Sequence, residues 1–135
     1  MNNVVEERSQ HAESGLFVYA KDLSRMTAFY QAVLGLEPVQ PSADLVVLRG
    51  PFIELLLHAI PAHIAADIDI SVPPVPREDA ALKFFFTVPS LAAAAAIAAR
   101  HGGEVLAAQW QGPGFSVRNA VDPEGNIFQL REASP

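Results

Sequence analysis

Two stretches of this chain, 68 residues apart, repeat one pattern of strand, helix and further strand. The first, LFVYAKDLSRMTAFYQAVLGLEPV, starts at Leu16, and the second, FFFTVPSLAAAAAIAARHGGEVL, starts at Phe84. In each, an apolar strand leads into a helix-capping residue, a helix, a glycine stop and another strand. Because the two halves repeat the same unit, the fold must be built from two similar modules.

The two predicted helices have ordinary start and stop signals. Asp22 and Ser90 precede them, and side-chain oxygens at this position accept the free amide hydrogens of the first helical turn. Gly35 and the pair Gly102 and Gly103 suit the left-handed conformation that ends a helix. An apolar stripe with the spacing of one helical face marks the first helix, and its members are Met26, Phe29, Tyr30, Val33 and Leu34.

Three short strands follow each helix, so each half of the chain is predicted to be βαβββ. These strands span residues 37–40, 44–49 and 52–58 in the first half, and 104–110, 115–121 and 126–131 in the second. The segment between the halves is rich in proline, which cannot pair inside a central strand. The expected organisation is a flexible tail (1–14) and one domain (15–131), which consists of module one (15–58), a linker arm (59–82) and module two (83–131).

Composition and charge exclude several classes of protein. The 135 residues carry a net charge of −6, which argues against nucleic-acid binding because phosphate contacts need clustered lysine and arginine. The chain has no cysteine, which excludes disulfides and thiol chemistry. No stretch reaches the roughly 18 apolar residues of a membrane span, and the first residues lack the apolar core of a secretory signal. We therefore expect a cytoplasmic protein without nucleic-acid or membrane partners.

The segment DPEGN, residues 122–126, is predicted to be a turn. Its acidic residues and its asparagine are oxygen donors, but the twelve-residue loop of a calcium site is absent. Pro123 and Gly125 suit a β-turn that joins two strands. Arg118 and Asn119, on the strand before this turn, are minor candidates for the rim of a binding site.

The repeated unit, with DL…FY…VLGL in its first helix and DPEGN.F.L at the end, resembles the vicinal oxygen chelate superfamily over residues 15–131. That superfamily includes glyoxalases, bleomycin resistance proteins and extradiol dioxygenases. The resemblance implies an α+β fold, in which two tandem βαβββ modules form a curved mixed sheet around an open cup, in a homodimer. It does not imply one activity, because this scaffold carries lyases, isomerases, oxygenases and proteins that only bind ligands.

In the metal-using members of the superfamily, four cup-facing positions hold the ion. The matching positions here are Gly15, Glu54, Lys83 and Gln129, where the family places histidine or glutamate. Only Glu54 fits, since a glycine, an ammonium and a neutral amide are poor ligands for a divalent ion. The histidines at positions 11, 58, 63 and 101 do not stand at ligand spacing. The resemblance is therefore to a metal-free member, and we expect no cofactor.

Alternation along the strands predicts which side chains face the cup. Most of them are apolar or aromatic, which is typical of a small-molecule pocket. The predicted ligand-binding residues are Phe17, Tyr19, Glu54, Leu56, His58, Lys83, Phe85, Trp110 and Gln129. The same face is predicted to include Phe52, Thr87, Ile127 and Arg131.

Glu54 and Lys83 have two interpretations. They form an ion pair that replaces the metal and joins the two half-sheets, because a buried carboxylate must be paired or protonated. Alternatively they bind ligand or act as an acid/base pair, which makes them the candidate catalytic residues.

Three functions follow from these observations. The first is a metal-free protein that binds a small organic molecule in its cup. The second is an enzyme of the superfamily, a lyase, isomerase or dioxygenase, that uses Glu54 and Lys83 or an unrecognised metal site. The third is a protein-interaction module whose cup has lost its ligand.

Overall fold

The computed structural model describes residues 12–39 and 41–135, so His11 and most of the predicted tail lie outside the described residues. The elements follow the predicted order closely. They are β1 (Gly15–Ala20), α1 (Leu23–Leu34), β2 (Glu37–Val39), β3 (Leu45–Arg49), β4 (Glu54–Ala59), α2 (Ala62–Ala65), β5 (Phe85–Thr87), α3 (Leu91–Arg100), β6 (Glu104–Gly112), β7 (Phe115–Val121) and β8 (Ile127–Ala133).

The strands form two four-stranded sheets, in the orders β1-β4-β3-β2 and β5-β8-β7-β6. In each sheet the first and last strands of a module pair in parallel, and the other neighbours are antiparallel. The two long helices begin at Leu23 and Leu91, which stand at the same offset as the sequence repeat. The α+β fold with two tandem βαβββ modules is therefore confirmed, with the predicted curved sheet present as two open halves.

Helices α1 and α3 pack against each other and against one face of each sheet. The rings of Phe29, Tyr30, Phe84 and Phe128 meet there, and the Phe84 and Phe128 rings stack 5.2 Å apart. Each fully buried side chain of this size stabilises the fold by about 1.5–3 kcal/mol. The other surface of each sheet, which faces away from α1 and α3, is called its open face below.

The predicted helix ends are confirmed. The backbone N–H of Arg25 donates to Oδ1 of Asp22 at 3.0 Å, and that of Ala93 donates to Oγ of Ser90 at 3.1 Å. Gly35 ends α1 with φ at 67°, a left-handed conformation that other residues adopt at a cost.

The DPEGN segment is the turn between β7 and β8, as predicted, but its acidic side chains point inward. Asp122 is fully buried and accepts hydrogen bonds from the Tyr30 hydroxyl and from the Asn126 side chain. Burial raises the pKa of Asp122, and burial together with the Asp122 carboxylate raises the pKa of Tyr30 well above its usual value. The two carboxylate oxygens of Glu124 accept the backbone N–H groups of Lys21 and Asp22, both at 2.8 Å. The turn therefore holds the start of α1.

The proline-rich arm folds back onto the same turn. The Arg77 backbone N–H donates to the Gly125 carbonyl at 2.8 Å, and its Nε donates to the Glu124 carbonyl at 3.0 Å. The arm begins at Ala59, the last residue of β4, contains the short helix α2, and has no strand between Ile60 and Leu82. Among the residues that the structure describes, no helix is long and apolar enough to cross a membrane.

Candidate functional site

An aromatic cluster covers part of the open face of the first sheet. The parallel pairing of β1 with β4 sets Phe17 opposite Leu56 and Tyr19 opposite His58. The Phe17 ring lies 5.0 Å from the Tyr19 ring and 5.8 Å from the His58 ring. Phe17 is 48% exposed and Tyr19 is 61% exposed, so these rings offer apolar surface to a ligand. The predicted grouping of these side chains on one face is present.

The open face of the second sheet carries a matching set of aromatic residues. Phe85 and Trp110 are each 50% exposed. Phe85 lies opposite Gln129 on β8, and Trp110 lies opposite Val117 on β7. Phe85 and Gln129 point away from the helices, because their neighbours Phe86 and Leu130 are buried in the core. Trp110 lies on the same face, because it pairs with Val117 and Val117 pairs with Arg131.

Glu54 is paired with Arg49, for which the sequence predicted no role. The Arg49 guanidinium contacts Oε1 of Glu54 through Nη2 at 2.9 Å and through Nε at 3.0 Å. The hairpin of β3 and β4 sets these two residues directly opposite each other. Lys83 is exposed and lies two residues before β5 begins. The predicted Glu54–Lys83 ion pair is therefore wrong, because a nearer cation already neutralises the carboxylate.

The prediction that Gln129 matches Glu54 in the repeat is also wrong, because the two positions differ by two residues along their strands. Glu54 lies opposite Gly15, whereas Gln129 lies opposite Phe85, the counterpart of Phe17 in the repeat. The counterpart of Gln129 in the first sheet is therefore Leu56, on the open face. The predicted strand start at 52 is also wrong, because β4 begins at Glu54. Phe52 lies in the turn before β4 and is 86% exposed.

The residues at the four family metal positions do not fit a divalent ion. Gly15 has no side-chain donor atom, Lys83 is a cation, and Gln129 lies two residues further along its strand than the position that matches Glu54. The carboxylate of Glu54 already forms a salt bridge with the guanidinium of Arg49. Across residues 12–39 and 41–135, no group of three or more His, Cys, Asp or Glu side chains is placed to hold an ion.

Two further polar residues lie at this site: Asn119, a minor candidate from the sequence, and Arg131, which was predicted to share the cup face. Both lie on the open face of the second sheet, and each has a buried polar atom without a hydrogen-bond partner, Oδ1 of Asn119 and Nε of Arg131. Arg118, the other minor candidate, lies on the opposite side of β7 and donates to the Leu106 carbonyl at 2.6 Å. Strand alternation placed Arg131 on this face, but its surroundings come from strands distant in sequence.

The residues of both modules match one known family. A family model described as a glyoxalase-like domain matches residues 15–131. None of the curated proteins matches the chain.

Several solved structures share the fold. One is a glyoxalase/bleomycin resistance protein/dioxygenase family enzyme from Burkholderia phytofirmans PsJN, at 18% identity and a TM-score of 0.66, covering 92% of this chain and 100% of the other. A lactoylglutathione lyase from Agrobacterium tumefaciens matches at 26% identity and a TM-score of 0.56, covering 90% and 92% of the two chains. A bleomycin resistance determinant encoded on the transposon Tn5 matches at 20% identity and a TM-score of 0.58, covering 93% and 100%.

Proposed function

Because this chain belongs to the family of glyoxalase-like domains, we propose that it binds a small organic molecule on the open faces of its sheets. One observation carries the proposal: large aromatic side chains stand half exposed on these faces. They are Phe17, Tyr19, Phe85 and Trp110.

The physical reason is that binding gains free energy when a ligand removes apolar surface from water. Aromatic side chains dominate binding energetics because they bury large areas, and ring pairs add about 0.5–1.5 kcal/mol beyond that area. Contiguous apolar surface of this kind marks interaction sites on soluble domains. The few polar groups beside it, among them Gln129 and Arg131, are what a small-molecule site uses to orient its ligand.

We also propose that the site binds its ligand without a metal ion. This part of the proposal is supported by the poor fit of Gly15, Glu54, Lys83 and Gln129 to a divalent ion, and by the contact between Glu54 and Arg49. The test is elemental mass spectrometry after incubation with Zn²⁺, Ni²⁺, Mn²⁺ and Fe²⁺ in turn. A stoichiometric ion that is lost in Glu54→Ala would contradict this part and favour a metal-dependent enzyme.

The binding protein is better supported than an enzyme that uses Glu54 and Lys83. An enzyme with Glu54 as base would have to break the contact with Arg49 first, and Lys83 does not contact that carboxylate. The homodimer and the cytoplasmic location stay predictions. Light scattering tests the first of them, and a monomer at all concentrations would contradict it.

Trp110 provides the direct test, because it is the only tryptophan of the chain. We would titrate ¹⁵N-labelled protein with indole-3-acetamide, indole-3-acetate and tryptamine, which share one aromatic body and differ in charge. At least one probe is expected to shift the Trp110 indole N–H resonance in a saturable way. Phe17→Ala is expected to weaken that binding about three- to tenfold, through the lost ring contact.

The matched control is Ile64→Ala. Ile64 is 48% exposed, as Phe17 is, but lies on α2 rather than on a sheet. Its substitution is expected to leave the affinity unchanged. If no probe gives a saturable shift, the proposed function is overturned.

A further inference from the structure

Arg131 stacks between two aromatic rings on the open face of the second sheet. Its guanidinium carbon lies 3.6 Å from the centre of the Phe85 ring and 4.1 Å from the centre of the Phe115 ring. Cations are attracted to the faces of aromatic rings. The two contacts therefore favour a guanidinium that stays beside these two rings.

The charge of Arg131 has no carboxylate beside it in the part of the chain that the structure describes. Arg49–Glu54 is the ion pair found there, and it lies in the other sheet. The neighbouring Glu132 accepts the Leu91 backbone N–H at 2.7 Å, at the start of α3. Nε of Arg131 is buried without any hydrogen-bond partner. Buried donors are rarely left unpaired, because an unmade hydrogen bond to a charged group is costly.

The stacking also decides from which direction a partner approaches. The N–H groups of a guanidinium lie in its own plane. With rings from the strands on either side of β8 against the guanidinium and Nε buried, a partner reaches the Nη groups along that plane. Two parallel N–H groups in one plane match the two oxygens of a carboxylate, and such paired hydrogen bonds are strong and geometrically specific. The unpaired Oδ1 of Asn119 lies on the same open face and, as an acceptor, would pair with a donor group of the ligand rather than with its carboxylate.

We propose that Arg131 binds the carboxylate of the ligand, and that the ligand is an organic acid with an aromatic or apolar body. The body lies against Trp110, which is two strands from Arg131 at the same level of the sheet, and the carboxylate meets the outward edge of the guanidinium. This inference rests on the proposed function, since it names the class of molecule that the same faces take. The expected preference for an anionic ligand is opposed by the net charge of −6, which repels anions.

The first test compares matched probes on the unmodified protein. Indole-3-acetate is expected to bind about tenfold or more tightly than indole-3-acetamide, which has the same shape without the charge. Tryptamine is expected to bind more weakly than both, although the net charge of the chain favours a cation. The acetate, and not the amide, is expected to shift the Arg131 Nε–H resonance strongly.

Variants then assign the preference to one side chain. In Arg131→Met the acetate is expected to lose its advantage, while the amide binds within about twofold of its original affinity. Arg131→Lys keeps the charge but not the paired geometry, and is expected to retain only part of the preference. Arg100→Met makes the same change of charge at an exposed helix end and is the control, with no expected effect.

The outcomes separate this inference from the proposed function. If the amide binds the unmodified protein as tightly as the acetate, only the inference is overturned. Equal loss of acetate and amide binding in Arg131→Met would also overturn it, because Arg131 would then only support the rings. If no probe binds, the proposed function fails and the inference fails with it. If Arg131→Met does not fold, the inference is still tested by the probe comparison and by the Arg131 Nε–H resonance, both measured on the unmodified protein.

Discussion

The hydroxyl of Tyr30 on α1 donates a 2.6 Å hydrogen bond to Oδ2 of Asp122, in the turn between β7 and β8. Both groups are fully buried. The same carboxylate accepts the backbone N–H groups of Glu124 and Asn126 through Oδ1. The first module's helix is therefore joined to the second module's last turn by a polar contact inside the core, where an unmade hydrogen bond is costly.

Tyr30→Phe is expected to destabilise the protein by about 1–3 kcal/mol, because it removes a hydrogen bond to a buried carboxylate and leaves the ring in place. Urea unfolding followed by circular dichroism measures the change. The control is Tyr19→Phe, on an open face and 61% exposed, for which the change is expected to stay within about 0.5 kcal/mol. Equal stability losses in the two variants would show that the Tyr30 contact does not stabilise the fold.

The stability of the protein is expected to fall with rising pH above about 10, the pKa of tyrosine in an unfolded chain. The pKa of Tyr30 is raised well above that value in the folded protein by burial and by Asp122. Between the two pKa values the unfolded state releases the proton and the folded state keeps it. Each pH unit in that window therefore costs the fold up to about 1.4 kcal/mol.

Tyr30→Phe lacks this proton, so its stability deficit relative to the unmodified protein is expected to shrink as the pH rises above about 10. Urea midpoints of both proteins at pH 8, 9, 10 and 11 measure the difference. In the Tyr19→Phe variant, where Tyr30 is the remaining tyrosine, tyrosinate absorbance is expected to appear only as the protein unfolds. A deficit that is constant over this range would contradict the prediction.

Glu124→Gln is expected to destabilise the protein by about 1–3 kcal/mol. Each carboxylate oxygen of Glu124 accepts one backbone N–H, from Lys21 and from Asp22. An amide has one oxygen acceptor, and its NH₂ group would face the second N–H. The measurement is the urea midpoint, with Glu78→Gln on the exposed arm as the control. A loss no larger than that of the control would argue that the turn does not hold the start of α1.

The sequence alone determined the organisation of this protein. Its repeat, its helix caps at Asp22 and Ser90, its glycine stops and its alternating strands predict two βαβββ modules. The caps, the glycine stops and the strand alternation are local signals, because each depends on residues within a few positions of one another. For the same reason alternation correctly placed Phe17, Tyr19, His58 and Phe85 on the open faces.

The tertiary structure decided which residues meet. Glu54 pairs with Arg49 rather than Lys83 because the pairing of β3 with β4 sets them opposite each other. Asp122 and Glu124 could be recognised as turn residues, but not as the groups that hold α1, since their partners lie about a hundred residues earlier. Arg131 stacks between Phe85 and Phe115 because β5, β7 and β8 are neighbours in one sheet. Strand pairing over long sequence separations determines such contacts, and it is specified by the whole core rather than by any local pattern.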